Sequence, residues 1–288
     1  MKQLGVALGG GGLKGLAHIG VLQVLQEHKI PIHMISGTSA GSIIAALYAS
    51  GMSPYQMEKI ALDVKTRDYI DPNLPGLVKF GLSLFFSKYS SNFSGLLKGE
   101  KIEKMVKRLT KGKSLRELRM PLAIIACDID TGKEVVFTNQ NLIIKGNNTT
   151  VINDILLSKA VRASISIPAT FEPVKINGSQ MVDGGIKSIV PVEILKAMGA
   201  NFILAVNLGT NIYHRKVEGI LQIIARTIDI LTYETSDTSE KLYSDMIVFP
   251  KLGDIQLDDL EKAPWIIRCG RRAMQQKIKE LSSKLGLP

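Results

Sequence analysis

The chain has only two cysteines in 288 residues, Cys127 and Cys269. That excludes a disulfide framework and makes a reducing, cytoplasmic setting the default expectation. Long apolar runs are also missing: no stretch reaches the roughly 18 residues that a membrane-spanning helix requires. At the N-terminus a lysine and a short apolar run give way to glycines before a signal peptide's apolar core would be complete. No small-residue cleavage site follows, so this end reads as mature structure. Acidic residues are the minority, 26 against 36 Lys and Arg, for a net charge of +10. Such a charge attracts anionic surfaces, which leaves nucleic acid and anionic lipid as candidates. Aromatics make up 6% of the chain and do not interleave with a dense basic tract, and no zinc-finger or RNP-like pattern occurs. Nucleic acid is therefore not expected as a partner. Internal repeats and low-complexity tracts are absent.

The residues present are those of an ordered α/β protein. Hydrophobic residues are 45%, charged residues 22%, and mean hydropathy is +0.14, on the apolar side of average. The length suits one domain with a large core and a small cap. Residues 4–9 read as a buried strand running into glycines and then a helix over 13–28. Residues 30–36 and 40–50 repeat that strand, turn and helix arrangement. Residues 121–129 and 134–138 form a hairpin around Asp130-Thr131-Gly132-Lys133, and a helix is expected over 153–164. Two short strands flank the Asn177-Gly178 turn, and residues 202–207 and 246–249 add two more. This alternation predicts a mostly parallel central sheet with helices on both faces. Residues 63–100, rich in Pro, Gly and Ser, with an apolar stretch at 77–86, read as a cap or flap or, equally, as a surface excursion packed on the core. The basic run 98–113 keeps Ile102, Met105, Val106 and Leu109 at the spacing of a buried stripe, so it reads as the solvated face of a helix.

Gly37-Thr38-Ser39-Ala40-Gly41 matches G-x-S-x-G, in which small residues let a strand turn sharply into a helix and lift a serine hydroxyl clear of the sheet. The pentapeptide alone is weak, but here it lies between a predicted strand and a predicted helix. Gly9-Gly10-Gly11-Gly12-Leu13-Lys14-Gly15 also ends a strand and opens a helix, where unhindered amides hold negative charge. A dinucleotide site would need an acidic residue where Ser36 to Ser39 stand, and a P-loop would need Gly-Lys-Ser/Thr. An oxyanion hole needs only convergent amides beside a nucleophile, and that use is favoured. A serine also needs a base. His18, His28 and His33 read as surface or satisfied structural residues. His214 alone follows the serine, in a polar loop. Asp183, at the end of an apolar strand and followed by Gly184 and Gly185, is the better candidate, although an Asp-Gly-Gly turn explains the fragment equally well.

Together with residues 163–168 (ASISIP) and Asp183-Gly184-Gly185, these blocks resemble, in order, the four blocks of the patatin-like phospholipase family, most closely its short bacterial members. The resemblance implies a three-layer catalytic domain over 1–210, including the 63–100 flap, with a mainly helical part, 211–288, packed on it. It implies Ser39 as nucleophile and Asp183 as base of a Ser–Asp dyad. Gly10, Gly11 and Gly12 would be oxyanion donors and Lys14 the basic position of the loop. Gly15, Gly37, Gly41, Gly184 and Gly185 would support the motifs, and Pro168 would help shape the wall near the pair. The implied substrate is a lipid or other acyl ester, hydrolysed through an acyl-enzyme without cofactor or metal, with peripheral contact to an anionic membrane face. A soluble esterase or thioesterase and a non-catalytic regulatory protein are the alternatives.

Overall fold

Strand β1 (Leu4–Leu8) is buried along its whole length, as expected of a strand covered on both sides. The computed structural model describes residues 2–75, 95–144, 146–209, 240–253 and 255–287, with 216–217, 219, 223–224, 226–228 and 230–231. After β1 come a 3-10 turn (Gly12–Leu16), α1 (Ala17–Glu27), β2 (Met34–Thr38) and α2 (Ala40–Ala49). Next are α3 (Pro54–Asp63), the one-turn α4 (Thr66–Tyr69), β3 (Gly95–Leu97) and α5 (Glu100–Leu109). A block of β4 (Leu122–Asp128), β5 (Glu134–Thr138) and β6 (Thr149–Ile152) precedes α6 (Leu157–Ser164). Short strands β7 (Ala169–Phe171), β8 (Val174–Ile176) and β9 (Ser179–Asp183) lead to α7 (Val192–Ala197) and β10 (Phe202–Val206). Then come β11 (Met246–Val248) and the long α8 (Ala263–Leu285).

The main sheet runs β11-β10-β1-β2-β4-β5-β6, with β9 also on β4 and β8 on β9. Its pairs are parallel except β4–β5, β4–β9 and β8–β9. Because side chains alternate along a strand, Leu4, Val6 and Leu8 join the larger core layer while Ala7 enters a second one with Val192 and Leu195 of α7. Helices α1, α2 and α8 thus cover one face and α7 the other, the architecture expected from the sequence. Helices α1 and α8 cross at near-backbone contact. A Cβ on Gly20 would strike the Ile267 carbonyl, and one on Gly270 the Ala17 carbonyl. At the rim of the crossing Arg271 pairs with Glu27 at 2.9 Å.

Several expected boundaries shift. The first helix opens as a 3-10 turn and becomes α-helical only at Ala17, where the glycine loop ends. The second strand is Met34–Thr38 rather than 30–36, so it carries Gly37 and Thr38 up to the serine. The helix expected over 153–164 begins at Leu157, because residues 149–152 pair with β5 as a strand that the sequence reading missed. The ends of the 63–100 segment are anchored. Asp71 accepts from the amides of Gly99 (2.8 Å) and Lys101 (3.0 Å), and β3 pairs with β7. The apolar stretch at 77–86 lies outside the described residues.

Candidate functional site

Ser39 occupies the single residue between β2 and α2, with φ 51° and ψ −126°. A non-glycine residue reaches that region only when its surroundings force it there. The forcing is steric. A Cβ on Gly37 would sit 2.5 Å from the Gly41 carbonyl oxygen, and one on Gly41 would collide with the Leu8 carbonyl. The turn can therefore close only with both positions bare. The Ser39 amide donates to Ser164 Oγ at 2.9 Å, and the Ser39 carbonyl accepts from Ser42 Oγ at 2.6 Å. The residue is buried but for 5% of its surface.

Asp183 reaches the same place from the opposite direction. Strand β5 takes one edge of β4 along residues 123–127, so β2 and β9 must share the other. Thr38, the last residue of β2, faces Ile125, and Asp183, the last residue of the antiparallel β9, faces Ala126. The two strands thus meet head to head beside adjacent residues of β4, a step of about 3.3 Å along that strand. The Asp183 amide donates to the Ser166 carbonyl (2.9 Å), and its Oδ1 accepts from the Gly185 amide (2.7 Å). Gly184 lies so close to the Ile125 carbonyl that a Cβ there would collide with it.

The end of α6 ties the two halves together, a role that the sequence reading did not assign. Ser164 Oγ accepts from the Ser39 amide and donates to the Ile125 carbonyl (2.5 Å). Ser166 holds Asp183 through its carbonyl and receives a 2.6 Å hydrogen bond from Arg162 Nη1 on its hydroxyl. Arg162 also donates to the carbonyls of Lys98 and Glu172. Burial lowers its pKa, and the surrounding Glu103, Asp71 and Glu172 oppose that shift. The only sequence signal for this hub is a polar residue repeated every second position in the apolar block 163–168. Pro168 ends that block at the turn into β7.

The glycine loop lies against Ser39: a Cβ on Gly10 would stand 3.2 Å from the Ser39 Cβ. One expectation is corrected here. The Gly10 amide is held by the Ile189 carbonyl at 2.9 Å, so it does not point at a reacting group. Gly11 (φ 153°) and Gly12 (φ 56°) have backbone conformations that side chains rarely tolerate. Among the described residues no backbone acceptor takes the Gly11 amide, and Gly12 begins the 3-10 turn, where amides lack intrahelical partners. Lys14 closes the loop with a 3.1 Å hydrogen bond from its amide to the Gly11 carbonyl. Gly15 packs on α2, where a Cβ would come within 2.6 Å of the Ala40 Cβ. His18, read as a surface or satisfied residue, is fully buried, with Nε2 2.8 Å from the Gly9 carbonyl. Burial lowers its pKa to about 4, against the opposing pull of that hydrogen bond. It is neutral at pH 7, and the carbonyl partner assigns the proton to Nε2. His214 lies outside the described residues.

From Ser39 a cavity of about 190 Å³ runs between helices, walled on one side by Ala40, Ile43, Ile44 and Leu47 of α2. Ile102, Met105 and Leu109, read from sequence as part of a buried stripe, also line it, and Val106 of the same stripe is buried. Ser39 and Gly12 thus line an apolar slot, and the pairing of β2 and β9 with β4 brings Asp183 beside Ser39.

The family model described as patatin-like phospholipase matches residues 6–196. YqhO of Bacillus subtilis (strain 168), itself uncharacterized, is 26% identical over 291 residues, covering 94% of this chain and 96% of that protein. The NTE family protein Rv1063c of Mycobacterium tuberculosis (strain ATCC 25618 / H37Rv), also uncharacterized, is 28% identical over 208 residues, covering 72% of this chain and 49% of that protein. The chain thus spans nearly all of the first relative and about half of the second. Among solved structures, VipD from Legionella pneumophila aligns over 97% of this chain and 67% of its own, with a TM-score of 0.50 at 14% identity. That likeness is one of fold.

Proposed function

The chain belongs to the patatin-like phospholipase family, and from that premise we propose that it is a serine hydrolase of acyl esters that releases fatty acid from lipid. Ser39 is its nucleophile, Asp183 its base, and the amides of Gly11 and Gly12 its oxyanion donors. The observation that carries this reading is the meeting of β2 and β9 end to end on β4, with Ser39 opening onto an apolar cavity.

In this mechanism Ser39 Oγ attacks the ester carbonyl carbon as its proton passes to the Asp183 carboxylate, and the carbonyl oxygen takes up negative charge beside the loop amides. Collapse of the tetrahedral intermediate breaks the ester C–O bond, and Asp183 returns the proton to the departing alcohol. Water then attacks the acyl-enzyme, losing a proton to Asp183, and fatty acid leaves as Ser39 regains its hydrogen. A carboxylate of ordinary pKa, about 3.9, is a weak base toward a hydroxyl, so closeness and partial dryness must compensate. Asp183 is 6% exposed, which supports that condition.

The test is labelling by a fluorophosphonate probe, followed by product analysis on a mixed lipid extract. Wild type should be labelled and should release fatty acid, and Ser39→Ala should do neither. Equal labelling of the two proteins would reject the assignment. The modest size of the cavity favours a second reading, a soluble carboxylesterase or thioesterase. Comparing turnover of dispersed phospholipid with that of a short water-soluble ester separates the two. Contact with an anionic membrane face belongs to the first reading and rests on the +10 charge. Among the described residues no helix is long and apolar enough to cross a membrane.

A further inference from the structure

The cavity beside Ser39 shares four apolar side chains with a neighbouring groove. Ile60, Val64, Met105 and Leu109 line both this cavity and a second groove of about 640 Å³. That groove is bordered by Arg67, Lys101, Lys104 and Arg108, with Asp63 and Asp68. We infer that these four apolar side chains form a septum that limits acyl length, making the protein selective for esters of medium-chain acids. The inference rests on the hydrolase reading and specifies which acyl groups that site accepts.

Two measures of the cavity agree. Its α2 wall runs from Ala40 to Leu47, which at helical rise is about 10 Å, the reach of about eight extended methylenes. By volume, 190 Å³ scales to a similar figure of about eight carbons, because a cavity of about 150 Å³ holds the six of benzene. Up to that length each added methylene moves from water to an apolar wall and should raise kcat/KM about fourfold. Beyond it the chain must displace the septum and enter a groove rimmed by Arg67, Lys101, Lys104 and Arg108, where further methylenes gain less. Two of the four septum residues sit on α3 and just past its end, and two on α5, so the stop depends on how those helices pack. Met105, with its flexible thioether, is the softest part of the wall.

The experiment measures kcat/KM of the full chain on p-nitrophenyl esters from acetyl to hexadecanoyl. Wild type should rise to about the octanoyl ester and be at least tenfold lower at tetradecanoyl. In Met105→Ala and Leu109→Ala the ratio of tetradecanoyl to octanoyl kcat/KM should increase at least fivefold, and a general loss of activity cancels in that ratio. Ala61→Leu, which fills the cavity, should move the optimum to shorter esters and keeps the test decisive if the truncations fold poorly. A wild-type profile that climbs through hexadecanoyl, or ratios unmoved in all three variants, would overturn the septum while leaving the hydrolase in place. Failure to turn over any ester would remove the hydrolase reading itself, and the septum with it.

Discussion

Ser39 and Asp183 arrive at the same point on β4 by unlike routes. The backbone of Ser39 is shaped within five residues, because Gly37 and Gly41 permit a turn that any larger side chain would block. Asp183 needs no strained turn. Its place comes from antiparallel pairing with β4, from the Ser166 carbonyl and from the Gly185 amide. A site built this way has one half held in a strained backbone conformation that bare flanking positions permit, and another placed in a relaxed conformation chiefly by strand pairing. Mutations should separate the two.

The largest effect is expected at the strained half. Gly41→Ala places a methyl against the Leu8 carbonyl, backbone that has no rotamer to yield, and should cost at least about 4 kcal/mol of stability. Urea denaturation followed by circular dichroism would show it, and an unchanged midpoint would show that the turn can open. Asp183→Asn should act in the opposite sense. The amide oxygen still accepts from Gly185 and β9 still pairs, so folding should change little while kcat/KM on a short ester falls about a thousandfold, near 4 kcal/mol.

A pH effect comes next, from the histidine that braces the glycine loop. The pKa of His18 is lowered to about 4 in the fold, against about 6.5 in the unfolded chain. Between those values the unfolded state binds a proton that the native state refuses, so stability rises with pH across the window. The contribution is fully present above pH 6.5 and is lost on acidification toward pH 4, by about 3 kcal/mol. In His18→Gln that part of the acid-unfolding curve should flatten, and an unaltered slope would assign it to other groups. The smallest effect belongs to the link between the halves. Ser164→Ala leaves the buried Ser39 amide and Ile125 carbonyl without their shared hydroxyl, a loss of about 1–3 kcal/mol. Activity should fall further than the stability loss explains, because the turn carrying Ser39 would loosen. A variant with full kcat and a lowered melting temperature would confine Ser164 to a structural role.

Local chemistry was readable without coordinates. The all-apolar β1, the hairpin of β4 and β5 and the serine turn each declare themselves within one short window, through burial pattern or through small residues that sterics require. The misreadings share a different cause. Strand β6 is neither long nor alternating, and it exists because β5 offers it an edge. Gly10 looks like its glycine neighbours until Ile189 is found to occupy its amide. Ser164 stands 125 residues from the serine whose amide it receives.

Residue order by itself determined the chemical kit of this protein: a bare-flanked serine, a glycine-rich loop, a carboxylate with two glycines behind it and a parallel α/β frame to carry them. Which amides remain free, which hydroxyl joins the two halves, and where the apolar slot stops were decided only in three dimensions. The physical reason is range. Steric limits on a turn act between neighbours in the chain, whereas hydrogen-bond partners and cavity walls are supplied by whatever the packed fold brings alongside.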